Sequence, residues 1–163
     1  MSGGLAAVPV DRRYFEDYTE GSVVDCGTIA VEHDEVLAFG QRYDPQPFHA
    51  DPEAAARGPF GGLIASGWLT GALMMRLFVQ HYISSVASLA SPGAESLKWL
   101  SPVRPGDVLH VVISVLEARR SRSKPDRGVI VSFISVRNQH DVEVMTMKVT
   151  NILACRTSPP TAS

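Results

Sequence analysis

The chain has 163 residues, 45% of them apolar and 20% charged, with a formal net charge of −2. That is one domain's worth of chain, with a core that needs neither disulfides nor a metal. The balance excludes a polycation built for nucleic acid, and no apolar run reaches the ~18 residues of a membrane span. Met1 to Val10 has no basic start followed by an apolar stretch, so no signal peptide is expected. Charge is uneven: residues 1–57 carry 11 acids and 4 bases, residues 58–163 carry 6 and 11. A basic half suits an anionic ligand, and equally a surface of mixed faces. Cys26 and Cys155 have no metal-type spacing and read as free thiols of a cytoplasmic protein.

Residues 1–13, rich in Gly and Ala, are expected to be loose, as is the tail 157–163, leaving 14–156 as one domain. Ser22 to Val31 reads as a first strand. His33 to Tyr43 reads as a helix, with Val36, Leu37, Phe39 and Gly40 near one face and Asp34 and Glu35 in the first turn. Pro45 and Pro47 then forbid helix. Asp51-Pro52 is an N-cap followed by Pro at the first helical position, which predicts a short helix over 52–57.

A Gly-rich connection, Pro59 to Ala65, leads to the longest helix, Gly67 to Ile83. Its apolar residues cover almost the whole circumference, which predicts burial on all sides. Glu95 to Leu100 reads as a short strand. Asp107 to Ala118, Gly128 to Asn138 and Val142 to Leu153 read as long strands of an antiparallel meander. A curling antiparallel sheet wrapped around one long central helix is the hot-dog architecture, an α+β fold.

Three constellations bear on chemistry. Asp44 and His49 stand five residues apart on a Pro-stiffened segment, and an acid and a base within reach of one water support general acid–base catalysis. Five extended residues span about 16–18 Å, so the segment must bend for the pair to meet. Otherwise Asp44 only ends its helix and His49 only occupies a turn. Gly67 opens the long helix, whose N–H groups and positive dipole suit an oxyanion, unless the glycines 61, 62 and 67 serve only tight turns and close packing. Arg119, Arg120, Arg122, Lys124 and Arg127 form a basic hairpin connection, a phosphate site or a solvated loop. Asp and Glu are absent from Gly67 to Ile83, which disfavours a hot-dog enzyme with its carboxylate on that helix. His33, His81, His110 and His140 have no ligand spacing, so no metal is expected.

The segments Tyr43-Asp-Pro-Gln-Pro-Phe-His49, Asp51-Pro-Glu-Ala-Ala, Phe60-Gly-Gly-Leu-Ile-Ala-Ser-Gly-Trp68, Leu97-Lys-Trp-Leu-Ser-Pro-Val-Arg-Pro-Gly-Asp107 and Ser121 to Gly128 occur in order. Together they resemble the MaoC-like dehydratases, a group that includes (R)-specific enoyl-CoA hydratases. The resemblance implies a hot-dog fold and an acyl-CoA thioester substrate. It implies reversible addition of water to a trans-2-enoyl-CoA to give an (R)-3-hydroxyacyl-CoA, with Asp44 and His49 catalytic. It also implies that the Gly67 N–H polarises the thioester carbonyl. Gln46, Phe48, Ser66 and Trp68 become candidates for the substrate pocket, and Arg119, Arg120, Arg122 and Lys124 candidates for the CoA phosphates.

The chain has Gln46 where the signature has Asn, Ser66 where it often has His, and Met75 near a polar helix position. No cofactor is implied beyond the CoA of the substrate. A homodimer or larger assembly of dimers is implied, with no nucleic-acid or membrane partner. A hot-dog thioesterase and a non-catalytic acyl-CoA-binding subunit are the alternatives.

Overall fold

The computed structural model of the protein describes residues 4–156. Its elements are β1 (Val23–Ala30), α1 (His33–Tyr43), α2 (Pro47–Ala50), α3 (Pro52–Arg57), α4 (Gly67–His81), β2 (Ser88–Trp99), β3 (Val108–Arg120), β4 (Arg127–Arg137) and β5 (Glu143–Ala154). Single 3₁₀ turns at Leu5–Ala7 and Phe15–Asp17 precede them. The five strands form one antiparallel sheet in the order β1-β3-β4-β5-β2. The meander expected at the end of the sequence is its centre.

Alternation along β3 explains how the sheet holds the helix. Leu109, Val111, Ile113 and Val115 are buried while their neighbours are not, as a half-buried strand requires. Ile130, Ile134 and Val136 of β4 and Met145, Val149 and Leu153 of β5 join them. Leu69, Leu73, Leu77 and Phe78 of α4 complete the cluster, so the helix lies in the hollow of the sheet in a hot-dog fold. Among the described residues, no helix is long and apolar enough to cross a membrane.

Four expectations are corrected. Burial of α4 on all sides does not hold: Trp68, Met75 and Val79 are 62%, 41% and 50% exposed along one stripe. Apolar content shows that such a face avoids water, not what covers it. Pro47 does not forbid helix but starts α2, because at the first helical position its missing N–H costs nothing. The short strand at 95–100 is the end of the twelve-residue β2, whose Ser91-Pro92-Gly93 reads as a turn. A sheet edge tolerates that Pro, and register shifts flank it.

Residues 4–13 are not loose. Leu5 is buried, and the buried Arg13 donates to the carbonyls of Val8, His81 and Tyr82, holding the C-terminal end of α4. Ser84 and Tyr18 add hydrogen bonds to the Arg13 and Tyr82 carbonyls. Residues 1–3 and the tail 157–163 lie outside the described residues.

Candidate active site

Asp44 caps the C-terminus of α1, its N–H bonded to the Gly40 carbonyl. Pro45 and Pro47 end that helix and start α2. The single turn of α2 folds the chain back, and the bend expected between Asp44 and His49 is made here. Gly40 permits the approach: a Cβ at this position would overlap the His49 backbone carbonyl. The result brings His49 Nε2 to 3.4 Å from Asp44 Oδ2, with the imidazole 7% and the carboxylate 18% exposed.

Hydrogen bonds fix the state of both groups. His49 Nδ1 lies 2.8 Å from the Ile64 carbonyl. A carbonyl only accepts, so Nδ1 carries a proton, and Nε2 is the ring nitrogen that faces Asp44. Gln46 Nε2 donates to Asp44 Oδ1 and Ser66 Oγ donates to Oδ2, each at 2.7 Å. Burial works against the anion, but these two donors, with the neighbouring His49 ring, outweigh it and hold the Asp44 carboxyl below its ordinary range. Ser66 is fully buried and is also the N-cap of α4, accepting from the Trp68 N–H.

His49 borders a cavity of about 330 Å³. Phe48 stands edge-on to His49 and to Phe60, forming an aromatic wall. Gly67, Thr70, Trp99 and Val103 line other sides. Trp99 packs so closely on Gly67 that a Cβ there would enter the indole, and its Nε1–H donates to the Gly67 carbonyl at 2.9 Å. The close-packing role of this glycine is therefore real. The Gly67 N–H meets no acceptor among the described residues.

Of the pocket candidates, Phe48 lines the cavity, whereas Gln46 and Ser66 hold Asp44. Trp68 faces outward against Trp99, their ring centroids 5.0 Å apart. Trp99, Thr70, Gly40 and the Ile64 carbonyl belong to the site without having been singled out.

The basic hairpin lies elsewhere. Arg120 pairs with Gly128 across β3 and β4, while Val136 and Trp99 both pair with Met145 at the site end. Gly128 and Val136 lie eight residues apart along β4, about 27 Å at strand rise. Arg120 bonds Glu16 and Arg127 bonds Asp126, and Arg119, Arg122 and Lys124 are exposed. The structure does not bring this hairpin to the Asp44–His49 pair of its own chain.

A helix held in a curled sheet, with an Asp–His pair beside the helix N-terminus, defines a hot-dog protein. The family model described as MaoC like domain matches residues 16–136, and the chain belongs to that family. It is 30% identical over 129 residues to the uncharacterized protein YdeM of Bacillus subtilis, covering 79% of this chain and 90% of that one. It is 36% identical over 90 residues to the 3-hydroxyacyl-thioester dehydratase Z of Mycobacterium tuberculosis, covering 54% of this chain and 60% of the relative. The crystal structure of a MaoC-like dehydratase from Rhodospirillum rubrum superposes with a TM-score of 0.82 at 38% identity, covering 89% of this chain and 99% of that one.

Proposed function

We propose that the protein is an acyl-CoA hydratase/dehydratase that adds water reversibly to a trans-2-enoyl-CoA, giving an (R)-3-hydroxyacyl-CoA. The observation that carries this reading is the 3.4 Å approach of His49 Nε2 to Asp44 Oδ2 at an apolar cavity beside the start of α4. A water on the open side of the pair donates one proton towards Nε2 and the other towards Asp44, leaving a lone pair for C3 of the enoyl group. As the C3–O bond forms, Nε2 takes the proton and the π electrons move towards the thioester oxygen. The Gly67 N–H and the positive end of α4 favour charge there. The imidazolium then returns a proton to C2.

His49 is the group that carries the proton. Asp44, held anionic by Gln46 and Ser66, orients the water and stabilises the imidazolium. The reading requires no cofactor beyond the CoA of the substrate. A cytoplasmic setting goes with it, on the two free thiols. So does a homodimer: β2 is an unpaired sheet edge, and Trp68 joins the exposed stripe of α4 to Trp99 on that strand. A two-fold axis would bring the same stripe and edge of two copies together.

The test is loss of conjugated enoyl absorbance on a panel of trans-2-enoyl-CoA thioesters, run beside a thiol-release assay. Loss of absorbance without thiol is expected, and Asp44→Asn and His49→Ala should each lower kcat/KM by about 10²- to 10⁴-fold. Full turnover in Asp44→Asn would sink the assignment. Thiol release would make the protein a thioesterase.

A further inference from the structure

Thr70 is the buried polar residue of the cavity that the mechanism above does not use. It is 2% exposed and lines the cavity beside Gly67. Its N–H is bonded to the Ser66 carbonyl, but its hydroxyl has no hydrogen-bond partner among the described residues. A hydroxyl sealed in a core without a partner is destabilising, and folded proteins avoid it. Among the described residues, the only sealed side-chain polar atom without a partner is Asn151 Oδ1. The Thr70 hydroxyl is therefore not sealed in, and the cavity is the space it opens onto.

Position says what it would meet there. Thr70 follows Gly67 by three residues, so the two share one face of α4. Helical Cα–Cβ bonds tilt towards the N-terminus, so the Thr70 side chain leans over the turn that begins at Gly67. The hydroxyl and the unpaired Gly67 N–H thus address one region of the cavity, at the positive end of a fifteen-residue helix. Two donors and a positive dipole suit an oxygen that gains negative charge.

We propose that the Thr70 hydroxyl is a second hydrogen-bond donor, beside the Gly67 N–H, to the thioester carbonyl oxygen. This rests on the acyl-CoA reading above. Because the oxygen is most basic in the enolate, the hydroxyl acts more on the transition state than on bound substrate.

The experiment compares wild type, Thr70→Val and Thr70→Ser, since Val keeps the shape and Ser keeps the donor. Saturated butyryl-CoA labelled with ¹³C at the carbonyl serves as the probe, bound to each protein and read by isotope-edited infrared spectroscopy. The carbonyl band should move to lower wavenumber on binding wild type or Thr70→Ser, and clearly less on Thr70→Val. With an enoyl-CoA substrate, kcat of Thr70→Val should fall about 10- to 100-fold while KM stays within about twofold. An unchanged band in Thr70→Val overturns the proposal and leaves the hydratase reading intact. Wild type that shows the band shift but does not hydrate any enoyl-CoA overturns the hydratase reading and leaves Thr70 as a carbonyl donor. Wild type that does not bind butyryl-CoA overturns both.

Discussion

Ser66 has a single proton to give and gives it to Asp44, while its lone pair takes the Trp68 N–H. One hydroxyl thus caps α4 and fixes the carboxylate, and Gln46 holds the other oxygen. The consequence appears in acid. A carboxyl whose folded pKa lies below its unfolded one contributes stability that is complete above the unfolded value. That contribution is lost as pH falls through the folded value. For Asp44 the ordinary value is 3.8 and the folded one is lower. Urea unfolding of wild type and Asp44→Asn should therefore show a stability difference that is constant above about pH 5 and shrinks steadily below it. A difference that grows as the pH drops would show that Asp44 is not held as an anion. The pair was readable from the resemblance of the segment Tyr43 to His49 to the family motif, since spacing alone left a helix end and a turn as alternatives. Its supports were not, because Ile64 acts through a backbone carbonyl that carries no side-chain signature.

At the scale of elements, the site depends on how α2 folds back on α1. Gly40 is the contact point, and in sequence it reads only as one more residue of the apolar face of α1. Gly40→Ala should push α2 away and separate Asp44 from His49, lowering kcat/KM by about 100-fold. Gly71→Ala, where an added Cβ meets nothing within 4 Å, supplies the helix-glycine control and should gain up to about 1 kcal/mol in stability. Equal activity of the two variants would remove Gly40 from the account. The extent of α1 was readable to the residue, because Pro45 ends it and acids mark its first turn. β2 was read at half its length, because Ser91-Pro92-Gly93 has turn composition, and only the pairing with β5 shows that it lies within a bulged edge.

For the molecule as a whole, the exposed stripe of α4 and the free edge of β2 predict the assembly. Light scattering should give twice the chain mass of 17.6 kDa. Val79→Glu, half exposed in the single chain, should return it to one chain by burying an unpaired charge at the interface. A wild-type monomer at micromolar concentration would remove the second copy from the model. The hot-dog topology was readable because a long apolar helix preceded three strands with short connections. The stripe was misread as core because hydrophobic periodicity is the same for both.

The strand order has a further consequence, for synthesis on the ribosome. β2 follows α4 directly in the chain, yet among the described residues it pairs only with β5, the last strand. Between the emergence of Trp99 and that of Ala154, the nascent chain carries the segment of Asp44 and His49 and α4 with no closed sheet to receive them. At roughly 5–20 residues per second this interval lasts roughly 3–11 s. During it, an apolar helix face and an open strand edge are exposed together, which makes the unfinished chain a natural client for a holding chaperone. Loss of β5 would not trim the sheet but divide it, because β5 stands between β4 and β2.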